Sequence, residues 1–406
     1  MKATVNFRLD RTQLGMTLIE LLISLALGLA VLIGLSSVYV AVKNAFRFQE
    51  GSGRLQEDAN FALDSISREL RMAGFAGCSG IKTVTVASVT TRYPGSVLAS
   101  SNPDTISGPN PLASVETGNG EVIVQPFTPL NFIRGFDGLP SAMFATGSVP
   151  VSSGSDSLFF AGGSASTVGV TVAMPAAASP LTISSNVYGW SGANTMIVSD
   201  CVSSSLFEGT VATSGGVTTI AHDGTGNATS SFTDSYLFGP AVASGVGARA
   251  GAIVMLAQWN LFYVATRSGA TTPSLYRVTF NGNARSNAEE VVSNVESMQL
   301  HYGENTLGTD SSLGTSCTLP GATTCMPNLV ADEWRTTAAS VTDWSRVVAV
   351  RVGLMMVSAE DNLNFDVSTT PTLLGQSYAV PTGASTKRLR KEFSTTVVLR
   401  NSVAAR

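Results

Sequence analysis

Histidine is almost missing from this chain: His222 and His301 are the only two. A Ser-His-Asp hydrolase would need a nucleophile beside one of them, and no G-x-S-x-G elbow is present, since GWSGA at 189–193 lacks the final glycine. Charge is scarce as well. Only 13% of the 406 residues are Asp, Glu, Lys or Arg, and the net charge is -4. A general grip on nucleic-acid phosphates is thereby excluded, which argues against nucleic acid as a direct ligand. Four cysteines occur, but none are spaced as C-x-x-C, so the usual zinc arrangement is lacking. GVGARAG at 245–251 has the wrong final spacing for a dinucleotide loop and no βαβ context. Asp223, Gly224, Thr225, Gly226 and Asn227 alternate oxygen-bearing groups, and Asp310 follows a Gly/Thr turn, yet neither segment completes an EF-hand-like set. No solenoid period is visible. The expectation is a protein without cofactor, metal or catalytic residue.

What remains is rich in Gly, Ser, Thr and Ala and long enough to bury a sizeable core unaided. The one long apolar run lies near the start, where MKATVNFRLDRTQLG meets MTLIELLISLALGLAVLIGLSSVYVAV. From Leu21 to Val42 there are 22 residues without a formal charge. At about 1.5 Å per residue they reach roughly 33 Å, enough for a bilayer core. A secretory signal would put its small-residue cleavage site after such a run; here Gly15 stands before it. Lys2, Arg8 and Arg11 against Asp10 give the leader a charge of +2 and leave -6 beyond it. The positive-inside tendency then places the leader in the cytoplasm and everything after Lys43 outside. Glu20 does not fit a plain anchor, because a carboxylate at the head of an apolar run is costly without a partner.

Gly15, Met16, Thr17, Leu18, Ile19 and Glu20 are very similar to the class III signal of type IV prepilins. The resemblance implies that a prepilin peptidase cuts between Gly15 and Met16 and N-methylates Met16, where most members have Phe. It also implies that Glu20, with Thr17 in the same motif, serves assembly. Glu20 would pair with the N-terminal ammonium of a neighbouring subunit, since opposite charges in low dielectric attract strongly and each alone is penalised.

Beyond the apolar run the helical period persists. Leu55, Ala59, Leu63, Ile66 and Leu70 recur at steps of three and four, which predicts a face docked on a globular head. Gly51 and Gly53 predict a local melt or bend, and Gly74 with Gly77 a stop. The fold expected is α+β: a long N-terminal pilin helix, membrane half plus amphipathic half, packed on a large, mostly antiparallel β-rich head. Its divisions are a cleaved cytoplasmic leader 1–15, a membrane and assembly half 16–42, an amphipathic half 43–77 and an exported head 78–406.

Candidate strands in the head are Glu121 to Gln125, Ser157 to Phe160, Thr195 to Ser199, Ala252 to Ala257, Leu261 to Thr266, Leu275 to Phe280, Val291 to Tyr302, Val347 to Val357 and Phe393 to Arg400. VVAVRVGLMMV is apolar on both faces and predicts a central strand. Segments 84–120 and 201–250 are read as loops or irregular sheet edges. The basic residues Lys387, Arg388, Arg390, Lys391 and Arg400 are read as a solvated strand face rather than a DNA contact. An even number of cysteines outside the cytoplasm favours two disulfides. Four cysteines allow three connectivities; the short TLPGATT segment between Cys317 and Cys325 favours that pair, which leaves Cys78 to Cys201.

LRMAGFAGC, IRGFDG, SDSLFF, IVSDC, LFYVAT, PSLYR, VESMQLHYG, VVAVRVGLMM and FSTTVVLRN, in that order, resemble segments of PilW-type minor pilins. That resemblance implies a subunit held in the inner membrane with its head in the periplasm, then carried to the pilus tip. Its implied partners are prepilin peptidase, other minor pilins, the major pilin and a tip adhesin; its implied roles are twitching motility, adhesion and DNA uptake. Two other readings stay open: a J-type minor pseudopilin of type II secretion, and a membrane-tethered periplasmic enzyme or binding protein.

Overall fold

The structure is a computed structural model that describes residues 17–77, most of 82–96, 132–138 and most of 152–401, and within this last range the largest segments left out are 306–329 and 361–370. One long helix, α1 (Leu18–Leu70), precedes a chain of strands. Two compact units divide at Gly53 and Arg54. The helix is unbroken through Gly51 and Gly53, so the predicted melt does not occur. The cost of two glycines, up to about 1 kcal/mol each, is spread over a helix of 53 residues whose nucleus is already formed.

In the first unit every residue from Leu18 to Val42 is exposed. The helix is long and apolar enough to cross a membrane. In the second unit the predicted stripe is buried: Leu55, Ala59, Leu63, Ile66 and Leu70 enter one core. The amphipathic period therefore does what its spacing dictates, placing one face of the last turns against sheet.

Strands β1 (Lys82–Val86) and β2 (Val89–Tyr93) form an antiparallel pair, and β3 (Gly95–Ser96) runs parallel to a later strand. The start of segment 84–120 is thus strand rather than loop. Next come β4 (Ile133–Phe136), β5 (Ser157–Val172), β6 (Leu181–Ile183), β7 (Gly192–Ser199), β8 (Ser204–Ser214), β9 (Val217–Ala221) and β10 (Ile253–Ala265). Six of these close on themselves: β5 pairs β6, then β9, β8, β7 and β10, which returns to β5. All six pairings are antiparallel, and every strand of the ring contributes to one cluster containing Val170, Ile183, Met196, Phe207, Ile220 and Val254. This is a small barrel filled by side chains. The predicted loop at 201–250 therefore holds a strand hairpin. Its Thr/Ser/Gly composition hid the alternation, because Phe207, Val211 and Ile220 are the few large inward residues.

Ala252 to Ala257 and Leu261 to Thr266, predicted as two strands, are one strand, β10, with a register shift between Met255 and Ala257. One edge of β10 follows β5. Its other edge pairs β7 up to Leu256 and then β11 (Ser274–Asn281) from Gln258 onward. β12 (Ala284–Arg285) and β13 (Glu289–Ser293) extend that side. The strand predicted over Val291 to Tyr302 is interrupted at Asn294, whose φ of 63° turns the chain, before β14 (Val295–Glu304).

A second sheet has the order β15, β14, β16, β19, with β15 at Glu333–Arg335, β16 at Val347–Val357 and β19 at Arg390–Val398. VVAVRVGLMMV is central in it, as expected, with every residue buried except the half-buried Arg351. The hairpin β17 (Thr372–Leu373) and β18 (Gln376–Ser377) covers Gly353, where an added Cβ would lie 2.6 Å from Leu374 Cγ. The strand expected at Glu121 to Gln125 lies outside the described residues.

Candidate functional site: the N-terminal helix and the seat of its last turns

Thr17 precedes α1 and accepts a hydrogen bond on Oγ1 from the Glu20 backbone N–H at 3.3 Å, while Leu21 N–H donates to Thr17 O at 3.2 Å. Thr17 is therefore an N-cap, with Glu20 at the third helical position, where an acidic side chain suits the positive end of the helix dipole. The local fold thus explains the Thr-x-x-Glu spacing without reference to a partner. What it does not explain is the company Glu20 keeps: it is exposed, as are Leu18, Ile19, Leu21 and Leu22 around it. Gly15 and Met16 lie outside the described residues.

The other end of the helix is seated by contacts that sequence reading missed. Arg277 on β11 pairs with Glu69 and, at 2.6 Å, with Glu289. Burial pushes the Glu69 carboxyl up, and the Arg277 guanidinium beside it opposes that shift. After Leu70 the chain does not leave the head but is sewn onto β5. Gly74 N–H donates to Ala161 O at 2.8 Å and Gly163 N–H donates to Phe75 O at 2.6 Å. Two glycines of β5 make room: a Cβ on Gly162 would stand 2.8 Å from Met72 O, and one on Gly163 would collide with Met255 Sδ. Asn401, past the last strand, donates from Nδ2 to Ala73 O at 3.1 Å and Arg71 O at 3.4 Å, occupying carbonyls that the helix end leaves open.

The other short segments singled out in sequence sit at comparable ties. In IRGFDG, Gly135 lies against the Tyr302 hydroxyl, so no side chain fits there. The Asp137 carboxylate accepts the backbone N–H groups of Ala338 at 2.6 Å and Ala339 at 3.1 Å, capping a short turn. In SDSLFF, Asp156 is buried and accepts Leu300 N–H at 2.9 Å. Burial pushes its carboxyl up to about 7 even though that hydrogen bond opposes the shift. In VESMQLHYG, Glu296 meets Arg390 of β19 through two hydrogen bonds of 2.6 and 2.8 Å, and both side chains are almost wholly buried. Arg390 is thus removed from the solvated basic face read in the sequence. In IVSDC, Asp200 is fully buried, accepts Val202 N–H and Ser203 N–H, and receives the Tyr236 hydroxyl at 2.8 Å.

Cys78, Cys201, Cys317 and Cys325 all lie outside the described residues. Neighbours of the first two are described: Gly77, at φ 85°, packs against the Ser199 side chain. His222 is buried among Phe207 and Phe232 and reaches Ser179 O at 2.9 Å, and His301 is buried on β14, so neither faces an open site. Among the described residues no cluster of three or more His, Cys, Asp or Glu is arranged to hold a metal.

Residues 10–36 match the prokaryotic N-terminal methylation motif, and residues 261–401 match the family of type IV pilus-assembly protein W. No curated protein and no solved structure matches the chain. Both matched families describe structural pilus proteins rather than enzymes. The methylation motif, the exposed apolar helix behind it and the matched C-terminal region together make this chain similar to a PilW-like prepilin with a class III signal, and α1 is long and apolar enough to anchor it in a membrane.

Proposed function

We propose that the chain is a minor pilin that joins other minor pilins in a complex at the pilus tip and primes assembly of the major pilin there. In this reading prepilin peptidase removes residues 1–15 and methylates Met16, residues 16–42 serve membrane anchoring and assembly, 43–77 carry the head, and 78–406 form that head in the periplasm. Adhesion, twitching motility and DNA uptake follow from the filament and its tip adhesin, with no reaction catalysed by this subunit. The observation that carries the proposal is a helix with its whole apolar half exposed and a carboxylate, Glu20, in its first turn. In a bilayer an isolated charge of that kind is penalised. The ammonium of a trimmed neighbour supplies the missing partner, and the Thr17 cap fixes where Glu20 stands.

Mass spectrometry of the native protein should find N-methylated Met16 as the first residue; an intact Met1 would overturn the proposal. Glu20→Ala should still insert in the membrane but fail to co-purify with other pilins, and unchanged co-purification would remove its role. The match over 261–401 favours a pilus over the pseudopilus of type II secretion. Co-isolation with secretion pseudopilins instead of pilins would reverse that choice. For the cysteines we propose Cys78–Cys201 and Cys317–Cys325. The contact between Gly77 and Ser199 supports the first pair, because it brings together chain positions one and two residues away from the two sulfurs.

A further inference from the structure

Between Arg134 and Arg249 the chain has no lysine or arginine, yet it carries six carboxylates: Asp137, Asp156, Asp200, Glu208, Asp223 and Asp234. Three of them are answered by the fold. Asp137 receives the Ala338 and Ala339 N–H groups, Asp156 receives Leu300 N–H, and Asp200 receives Val202 N–H, Ser203 N–H and the Tyr236 hydroxyl. Glu208 on β8 is the exception. It is only 8% exposed, and its Oε2 is buried without a hydrogen-bond partner. Burial pushes the Glu208 carboxyl up, and what opposes the shift is the Gly226 N–H, not a positive charge. A buried carboxylate in that position is penalised unless something supplies the missing cation.

The turn after β9 covers Glu208. Asn227 fixes this turn to β8 through its amide: Oδ1 accepts Glu208 N–H at 2.8 Å, while Nδ2 donates to Glu208 O at 2.7 Å and to His222 O at 2.9 Å. Asn227 N–H also donates to Gly224 O at 3.1 Å. The Glu208 carboxylate is therefore not needed to hold the turn. Gly226 lies directly over it, where a Cβ would stand 2.3 to 2.4 Å from the carboxyl atoms. Room for the carboxylate, rather than a left-handed φ, is what requires glycine there. A Cβ on Gly224 would lie 3.6 Å from Glu208 Oε1, and Gly224 and Asp223 are both exposed. The buried carboxylate thus sits one van der Waals contact beneath an exposed turn that bears a second carboxylate.

We propose that the Glu208 carboxylate, with the Asp223 carboxylate and the Gly224 carbonyl, binds one calcium ion. The oxygen-bearing segment that begins at Asp223 lacks a complete ligand set of its own; β8 supplies the missing carboxylate from outside the segment. An all-oxygen set that includes a main-chain carbonyl suits calcium, whereas zinc favours nitrogen and sulfur and magnesium demands a near-ideal octahedron. Two carboxylates put the affinity at the weak end, with a dissociation constant on the order of 10⁻⁴ to 10⁻³ M. The site is independent of the function proposed above.

Equilibrium dialysis of the full-length chain in nonionic detergent against radioactive calcium tests it. One saturable ion per chain is expected. Glu208→Gln keeps an acceptor for Gly226 N–H but removes the charge, and it should weaken uptake about tenfold or more. Asp223→Asn, at an exposed position, should weaken it about threefold or more, and keeps the test decisive if Glu208→Gln does not fold. Glu360→Gln, an exposed acid elsewhere, should leave uptake unchanged. Calcium should raise the unfolding midpoint of the parent and not that of Glu208→Gln. Absence of saturable uptake up to about 10 mM, or uptake unaffected by either substitution, overturns the proposal and leaves the carboxylate to a proton or a buried water. Magnesium competing as well as calcium overturns the choice of ion.

Discussion

Asp156 sits where β5 meets β14, with its backbone N–H on Met298 O and its carboxylate on Leu300 N–H. Burial favours its neutral form and lifts its carboxyl from 3.8 to about 7. The folded state therefore holds a proton that the unfolded chain releases, and stability falls as pH rises from about 4 to 7. Three units correspond to at most about 4 kcal/mol. Asp156→Asn keeps an acceptor for Leu300 N–H and removes the charge. Urea unfolding should thus show the variant gaining on the parent between pH 5 and 8, and an equal pH response in both would refute the assignment. The buried Glu296–Arg390 pair predicts a different pattern. Glu296→Ala strands a guanidinium in the interior and should cost roughly 3–5 kcal/mol. Replacing both partners together, Glu296→Leu with Arg390→Met, should recover most of that loss, and the same urea titration decides it.

At the scale of elements, the helix and its seat respond oppositely to the same change. Gly51 and Gly53 have open space where a Cβ would go, so alanine at both should add up to about 1 kcal/mol each to local helix stability. Slower amide exchange across residues 50–54 would register the gain. Gly162 and Gly163 lie under the chain that follows the helix. Alanine at 163 should displace Met255 or the 72–75 segment and lower the unfolding midpoint of the head, whereas alanine at Gly169, with nothing near it, should not. The Leu55 to Leu70 stripe was legible because a helix buries every third or fourth residue. The glycine pair was not, because its reason lies ninety residues away in Met72 and Phe75.

Over the whole molecule, sequence conveyed the division into apolar helix and antiparallel head, and the Val347–Val357 strand to the residue, since an apolar run on both faces admits few other places. Gly15 through Glu20 were legible as a motif, and Thr17 proves also to cap the helix it introduces. The barrel was not foreseen. Closure depends on partners distant in sequence, and β6 has only three residues, too few to show an alternation. The ties at Glu69, Asp137, Asp200 and Asn401 were equally hidden, because each is a polar residue whose partner is set by topology. β10 lends its first half to the barrel and its second half to β11, while β5 follows it along the other edge. The barrel and the β11 side therefore cannot melt separately with intact ladders, and the second sheet is tied to them through a shared core that includes Phe160, Phe262, Leu300 and Val350. Calorimetry should accordingly record a single cooperative transition for the head, and two resolved peaks would show that the shared strand does not couple its neighbours.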